Sequence, residues 1–133
     1  MEIIEWEDKF SIGNDDIDSQ HKGLFEILNS IVRDTFPNVR SPVLEALFKK
    51  FEEYADKHFS FEQDYMKQID YPGYEVQVKQ HEYYMKKLSD LMNDRFTVPH
   101  DLHDFLRMWL VNHVLKCDGQ IREYVKTMGR IKS

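Results

Sequence analysis

Prolines and glycines are rare in this chain, and their positions limit its fold more than any other feature of the sequence. Only 4 of the 133 residues are proline and 5 are glycine. Between them lie long stretches that have the length of helices rather than of strands. We therefore expect an all-α protein. The residues that separate the stretches are Pro37, Pro42, Pro72, Gly73 and Pro99, with Gly119 inside the last stretch.

Apolar residues recur at helical spacing in every stretch. They predict helices over roughly 19–36, 42–69 and 73–93, a fourth that starts near Pro99, and a short fifth after Gly119. An apolar arm precedes the first helix. Long amphipathic helices with short connections are typical of an up-down-up-down four-helix bundle. The expected architecture is that bundle with an N-terminal arm and a short C-terminal helix.

The composition excludes several classes of protein. Charged residues make up 32% of the chain and apolar residues 41%, as in ordinary globular domains. The net charge of −6 offers no basic surface for nucleic acid. No apolar run approaches the ~20 residues of a membrane span, so no membrane contact is expected. The single cysteine rules out an intrachain disulfide and fits a reducing compartment. We expect one cytoplasmic domain over 1–133, or a cytoplasmic part of a longer protein.

Four histidines lie on the apolar faces of four different predicted helices. Each comes at a point that an up-down topology brings toward the same end of the bundle. Glu62 follows His58 by four residues and Gln77 precedes His81 by four, so each pair shares a helix face. We therefore expect these side chains to converge in one layer of the core. The four histidines are His21, His58, His81 and His113.

A buried layer of this composition favours metal binding. One histidine in a core is more often a hydrogen-bonded structural residue, but that explanation does not suit four histidines with a carboxylate. A buried glutamate without a partner is costly, and a metal ion removes that cost. Imidazole and carboxylate ligands suit zinc, iron or manganese. So many groups on four helices indicate two metal ions that share bridging carboxylates.

A dinuclear site needs a second carboxylate, and Asp118 is the candidate. It follows His113 by five residues, which places it about 140° away from the histidine on an ideal α-helix. Asp118 therefore reaches the site only if the helix is distorted or ends there, and the adjacent Gly119 makes either possible. Otherwise Asp118 is a surface residue.

Other polar residues are not assigned to the site. His100 and His103 lie at the start of the fourth helix, at the far end of the bundle, where we expect surface or capping roles. Cys117 is expected to pack, and a reactive thiol beside the metals is the alternative. Tyr83 and Tyr84 are also expected to pack.

The pattern of these residues resembles that of the bacterial hemerythrins, non-haem di-iron proteins that bind O2 within a four-helix bundle. The resemblance covers nearly the whole chain. The step of five residues from His113 to Asp118 is typical of the family, which supports Asp118 as a ligand. The matching segments are Trp6 in the arm, Gly13-Asn14-Asp15-Asp16-Ile17-Asp18-Ser19-Gln20-His21, His58-Phe59-Ser60-Phe61-Glu62, His81-Glu82 and Trp109-Leu110-Val111-Asn112-His113.

The resemblance implies a cofactor of two iron ions with an oxo or hydroxo group as a third bridge. It also implies a pocket for O2, or for a small anion such as azide. A dry, apolar pocket admits a small neutral gas and slows the escape of a charged product. The residues that would wall this pocket are Leu24, Trp109, Leu110 and Val114. The implied ligands are His21 and His58 for the iron with an open position, His81 and His113 for the other iron, and Glu62 and Asp118 as bridges.

The chain departs from the family pattern at one position. The family has a histidine four residues before His81, where this chain has Gln77. An amide oxygen is a weaker ligand than imidazole, and water or an open place are the alternatives. We hypothesise that the second iron is then oxidised readily by O2, which suits a sensor better than a store. Two other readings stay open: Gln77 replaces the ligand with little effect, or the site no longer holds two irons.

Domains of this family occur alone and fused to outputs such as diguanylate cyclases and chemotaxis receptors. The expected function is therefore an O2- or redox-responsive sensory domain, with a fused signalling output domain beyond Ser133 as its partner. A free-standing O2 carrier or store is the alternative. We do not expect an enzyme, because the Glu-x-x-His motif of ferritin-like oxidases does not occur. Reduction of peroxide or nitric oxide is a further alternative.

Overall fold

The computed structural model describes residues 3–34, 41–94 and 97–132, and within them it is helical with no strand. This confirms the all-α prediction. Neighbouring helices pack in a closed ring, α1 on α2, α2 on α3, α3 on α4 and α4 on α1, as a four-helix bundle requires. The helices are α1 (Asp15–Asp34), α2 (Pro42–Gln68), α3 (Tyr74–Asn93), α4 (Pro99–Asn112) and α5 (Gly119–Lys132), with a 3₁₀ turn at Asp8–Phe10 and a π-helical segment at His113–Asp118.

The starts of α1 and α2 show how well local signals define a helix. Ser41 caps α2 as expected, because its Oγ accepts a hydrogen bond from the Leu44 amide at 3.1 Å. α1 begins four residues before the predicted position 19. Asn14 Oδ1 accepts from the Ile17 amide at 3.0 Å, which is the geometry of a cap. Acidic residues fill the first turn of α1, where the helix dipole favours them. Pro37, the predicted stop of this helix, lies outside the described residues.

The N-terminal arm packs on the bundle, as its apolar residues predicted. Two hydrogen bonds to Asn29 of α1 hold the backbone of Ile4. The Ile4 amide N–H donates to Asn29 Oδ1, and Asn29 Nδ2 donates to the Ile4 carbonyl oxygen, each at 2.8 Å. Phe10 meets Phe25 edge to face with ring centroids 5.0 Å apart. Trp6 lies against the same two rings. The arm therefore covers the outside of α1.

Two apolar clusters lie on either side of a buried polar layer. The larger cluster fills the bundle on one side, and the smaller one lies under the α2–α3 turn and the start of α5. On α2 the larger cluster ends at Phe59 and the smaller begins at Met66, with Glu62 between them and His58 next to Phe59. The helices that carry the layer are thus held by apolar packing on both sides. Among the described helices, none combines the length and apolar character that a membrane span needs.

Of the expectations for His100, His103 and Cys117, one needs correction and one needs refinement. The prediction that His103 lies at the surface is wrong: it is buried on the inner face of α4, with Nε2 at 3.3 Å from the carbonyl oxygen of Leu28. His100 is half-exposed beside Asp104, as a surface residue should be. Cys117 is half-buried, and its Sγ donates to Gln80 Oε1 at 3.1 Å rather than packing on apolar groups alone.

The two tyrosines expected to pack behave differently. Tyr84 packs beside Trp109, with ring centroids 4.8 Å apart. Tyr83, its neighbour on α3, is exposed, so the packing prediction is wrong for this residue. Adjacent residues on a helix point about 100° apart, and only Tyr84 lies on the inner face.

Candidate metal centre

The structure brings all four inward histidines and both carboxylates into one layer of the core. No member of the set is exposed by more than 2%. Their polar atoms form two groups in which the candidate ligand atoms lie within 4.8 Å of one another. We call these the first ligand cluster (His21, His58, Glu62 and Asp118) and the second ligand cluster (Glu62, His81 and His113).

The π-helical segment between α4 and α5 explains why Asp118 belongs to this layer. A π-helix closes its hydrogen bonds over five residues instead of four. The residue five places after His113 therefore returns toward the face of His113, and both side chains are buried together. Of the two possibilities that the sequence left open, the helix is distorted and does not end, because Gly119 continues it with helical φ and ψ.

Glu62 lies between the two clusters and turns one oxygen to each. Its Oε2 is 3.2 Å from Nε2 of His58 in the first cluster. Its Oε1 is 3.3 Å from Nε2 of His81 and 3.4 Å from Nε2 of His113 in the second. This is the placement of a carboxylate that bridges two ions.

Asp118 also lies between the clusters, but through one oxygen. Its Oδ2 is 2.9 Å from Nε2 of His21 and 3.3 Å from Nε2 of His113. The carboxylates of Glu62 and Asp118 therefore link histidines from all four helices of the bundle.

The hydrogen-bonding state of these atoms tests whether metal ions fit the site. Within the described residues, neither oxygen of Glu62 or Asp118 has a hydrogen-bond partner of normal geometry, although all four oxygens are buried. The Nε2 atoms of His81 and His113 are in the same state. Buried polar atoms without partners are costly and uncommon. Nitrogen and oxygen donors that face one another in this way fit a pair of transition-metal ions.

Comparison with known proteins identifies the family of this chain. Residues 12–124 match the family model described as hemerythrin HHE cation binding domain. The protein belongs to the hemerythrin family. Membership implies non-haem di-iron oxygen binding, and the two clusters provide groups able to hold the metal.

Curated hemerythrins from bacteria and an animal align with most of the chain. A bacteriohemerythrin of Clostridium acetobutylicum is 30% identical over 90% of this chain and 97% of its own length. A bacteriohemerythrin of Stenotrophomonas maltophilia is 31% identical over 95% of this chain and 84% of its own length. A myohemerythrin of Sipunculus nudus is 30% identical over 85% and 86% of the two chains.

Burial and the two carboxylates together shift the pKa values of the four histidines in different directions. Burial alone lowers the pKa of His21, but the nearby carboxylates of Asp118 and Glu62 raise it to about 9. The pKa of His113 is likewise raised well above its usual value, because the charges of Asp118 and Glu62 outweigh burial. Burial prevails at His58 and His81 and lowers the pKa of each. In each cluster, therefore, the pKa of one histidine is raised and that of the other is lowered.

The carboxylate of Glu62 stays ionised in this setting. Burial alone would raise its pKa, but the charge of His113 and the close contacts with His113, His21 and His58 lower it well below the usual value. At Asp118 burial and the charge of Glu62 raise the pKa. In the absence of metal, protons on the histidines thus balance negative charge that metal ions balance in the loaded protein.

Gln77 is buried on α3, one helical turn before His81, where the family pattern has a histidine. Its Nε2 donates to the carbonyl oxygen of Cys117, in the π-helical segment, at 3.0 Å. Its Oε1 is buried and has no partner among the residues that the structure describes. The amide nitrogen of Gln77 is therefore held by a hydrogen bond, whereas its amide oxygen remains able to accept one.

The residues named for the O2 pocket are all buried in the larger apolar cluster. Trp109 extends over the site, with its ring at 5.8 Å from that of His113 and 5.3 Å from that of Phe59. The four residues are Leu24, Trp109, Leu110 and Val114, none exposed by more than 4%. They provide the dry, apolar surface that such a pocket needs.

Two glutamines at the site were missed in the sequence. Gln20 lies within hydrogen-bond distance of His58, and Gln63 of His81. Their position in the sequence could have identified them, because Gln20 precedes the candidate ligand His21 and Gln63 follows the candidate ligand Glu62.

Proposed function

We propose that this chain is an O2- or redox-responsive domain that holds two iron ions. The observation that carries the proposal is the pair of buried ligand clusters that share Glu62, with unsatisfied donor atoms in both. Bound iron would supply O2 binding and electron exchange, which protein side chains do not provide. The residues proposed to hold it are His21 and His58 for one ion, His81 and His113 for the other, and Glu62 and Asp118 between them.

Gln77 supports the sensory form of this proposal. Its free Oε1 is available as a weak third ligand of the second ion, and its Nε2 bond to Cys117 holds the amide in place. A neutral amide oxygen donates less electron density than imidazole. Gln77 would therefore hold a second ion less firmly than a histidine would, and such an ion would favour net oxidation by O2 over reversible binding.

The buried apolar residues next to the site determine which molecules can reach it. Leu24, Leu110 and Val114 carry no polar side-chain atoms, so they exclude water and charged solutes while a small neutral gas passes. The same wall would serve an O2 carrier or store, and this feature keeps that function as the second candidate. Reduction of peroxide or nitric oxide has no comparable support in the geometry.

We further propose that residues 1–133 form a single cytoplasmic unit that acts on a fused output domain. Two features support this. The free thiol of Cys117 suits a reducing compartment. The ligand-bearing π-helical segment continues without interruption into α5, so a displacement of Asp118 would be transmitted along that helix.

Iron content and optical response to O2 test the proposal. Protein purified without air should contain two irons per chain and, on exposure to air, should convert to an oxidised spectrum that removal of O2 does not reverse. The Gln77→His variant should recover its initial spectrum over more cycles, because the third imidazole is restored. Gln68→His, at an exposed position of α2, is the matched control.

The outcomes separate the claims. One iron or none in the wild-type protein would refute the di-iron centre. Two irons with equal reversibility in the wild-type and Gln77→His proteins would refute the sensory role of Gln77 and leave the carrier.

A further inference from the structure

Nδ1, the ring nitrogen that does not face the carboxylates, has a hydrogen-bond partner in two of the four histidines. Nδ1 of His58 lies 2.7 Å from Oε1 of Gln20. Nδ1 of His81 lies 3.0 Å from Nε2 of Gln63. Nδ1 of His21 and of His113 is buried without a partner in the described part of the chain. Each ligand cluster thus contains one histidine that is held by a glutamine and one that is not.

Both glutamines act between helices. Gln20 is on α1 and holds a histidine of α2, while Gln63 is on α2 and holds a histidine of α3. A contact of this kind fixes the direction of the ring relative to the neighbouring helix, which the backbone of its own helix does not do.

The ring of His81 shows what the contact adds. It stacks on Phe59 with centroids 3.9 Å apart and planes 9° apart. Stacking fixes the plane of the imidazole but does not distinguish the ring from the same ring flipped by a half-turn about the Cβ–Cγ bond. The bond at Nδ1 removes this remaining freedom and directs Nε2 toward Glu62, 3.3 Å away.

The chemistry of a ligating imidazole defines what the glutamines must do. A histidine that binds metal through Nε2 carries its proton on Nδ1 and donates it to an acceptor, which fixes the tautomer. Gln20 already presents its oxygen to Nδ1 of His58. Gln63 presents its amide nitrogen, and a half-turn of the terminal amide brings its oxygen to the same place.

We propose that Gln20 and Gln63 are positioning residues, one for each ligand cluster, whose amide oxygens accept hydrogen bonds from Nδ1–H of His58 and His81 and so direct Nε2 toward the metal. This inference rests on the proposed di-iron site. It predicts that each glutamine affects mainly the ion of its own cluster, and that in the metal-loaded protein the Gln63 amide has turned.

The surroundings of the glutamines make the inference testable without disrupting the core. Gln20 lines an open cavity of about 250 Å³ with Tyr54 and Lys57. Gln63 lines another of about 240 Å³ with Asp56 and Glu82. A side chain of similar size at either position therefore has space and displaces no core residue.

The experiment titrates Fe²⁺ without air into metal-free wild-type protein and the variants Gln20→Met and Gln63→Met. Methionine keeps the length of the side chain and removes the acceptor. Each variant should bind one of its two ions about 10- to 100-fold more weakly, the usual cost of losing such a partner, and the other ion as before. Gln20→Glu and Gln63→Glu restore an acceptor and should recover binding. Gln68→Met, at an exposed position, is the control.

The outcomes distinguish this inference from the proposed function. If wild-type protein does not bind two Fe²⁺ ions, the di-iron site itself is refuted. If the wild type binds two and both methionine variants match Gln68→Met, the positioning role is refuted alone. If the methionine variants lose an ion and the glutamate variants do not regain it, the glutamines act by packing and the inference is also overturned.

Discussion

The first and second ligand clusters use the same kinds of side chain but are completed in different ways. The first has four ligand groups, because Asp118 joins His21, His58 and Glu62. The second has three, and the adjacent buried place belongs to the amide of Gln77. A single substitution therefore acts on one side of a shared site without changing the bundle around it.

The surroundings of the two clusters differ as well. The cavity beside His58 is lined by Lys57, whereas the cavity beside His81 is lined by the carboxylates of Asp56 and Glu82. Small anions should therefore approach the first cluster more readily than the second. The first cluster therefore has more ligand groups, and the charge near it attracts anions. The second has fewer ligand groups, and the charges near it repel anions.

The largest effect should come from the residue that the clusters share. Glu62→Gln removes the bridging charge from both, so we expect iron content to fall from two ions to fewer than one. The metal-free protein should also lose about 3–5 kcal/mol of unfolding free energy, because protonated histidines are left buried beside a neutral amide. Iron analysis and denaturant unfolding measure the two effects, with exposed Glu82→Gln as the control. Retention of two ions by Glu62→Gln would show that the clusters are independent.

Changes at Gln77 should affect the second cluster alone. We expect affinity for the second Fe²⁺ ion to decrease from Gln77→His to wild type to Gln77→Leu, in steps of about tenfold. The first ion should bind equally in all three proteins, because His21 and His58 are unchanged. Anaerobic titration with Fe²⁺ measures both affinities. Parallel changes in both affinities would contradict the assignment of Gln77 to one side.

The two clusters should release similar numbers of protons when they bind metal. His21, with a pKa of about 9, and His113, with a raised pKa, hold protons at neutral pH in the metal-free protein. Each must lose its proton to bind metal, so each ion should displace about one proton. Affinity for the ion of the first cluster should then increase with pH up to about 9 and level off above it, where His21 is already neutral. Calorimetry in buffers of different ionisation enthalpy measures the release, and its absence would refute the charged state of these rings.

The smallest effect concerns the approach of anions. Lys57→Gln removes the positive charge at the cavity beside His58 and should slow azide binding to the iron-loaded protein by about twofold at low salt. Stopped-flow absorbance measures the rate, with Lys50→Gln, at another exposed position of α2, as the control. A larger effect of Glu82→Gln than of Lys57→Gln would show that anions enter on the side of the second cluster.

Local sequence signals predicted most of the fold and the histidine–carboxylate set. Ser41 and Pro42 identified the start of α2 because a cap and a first-turn proline act within a few residues. The start of α1 was missed because Asn14 is a cap without a following proline. His103 was misplaced although it falls on the same helical face as Leu106 and Leu110. There the polarity of the side chain was given more weight than its position.

The sequence by itself determined that four amphipathic helices pair their inward faces, and that His21, His58, Glu62, His81 and His113 share one layer. The first result follows from the 3.6-residue period, which is a local property of the chain. The second also needs the up-down order of the helices, which their short connections indicate. The tertiary structure decided the rest: that the chain forms a π-helical turn to bring in Asp118, that Gln77 keeps its oxygen free, and that Gln20 and Gln63 reach histidines on other helices. These features depend on how far each helix is rotated and shifted against its neighbour, and the periodicity of one helix contains no information about that.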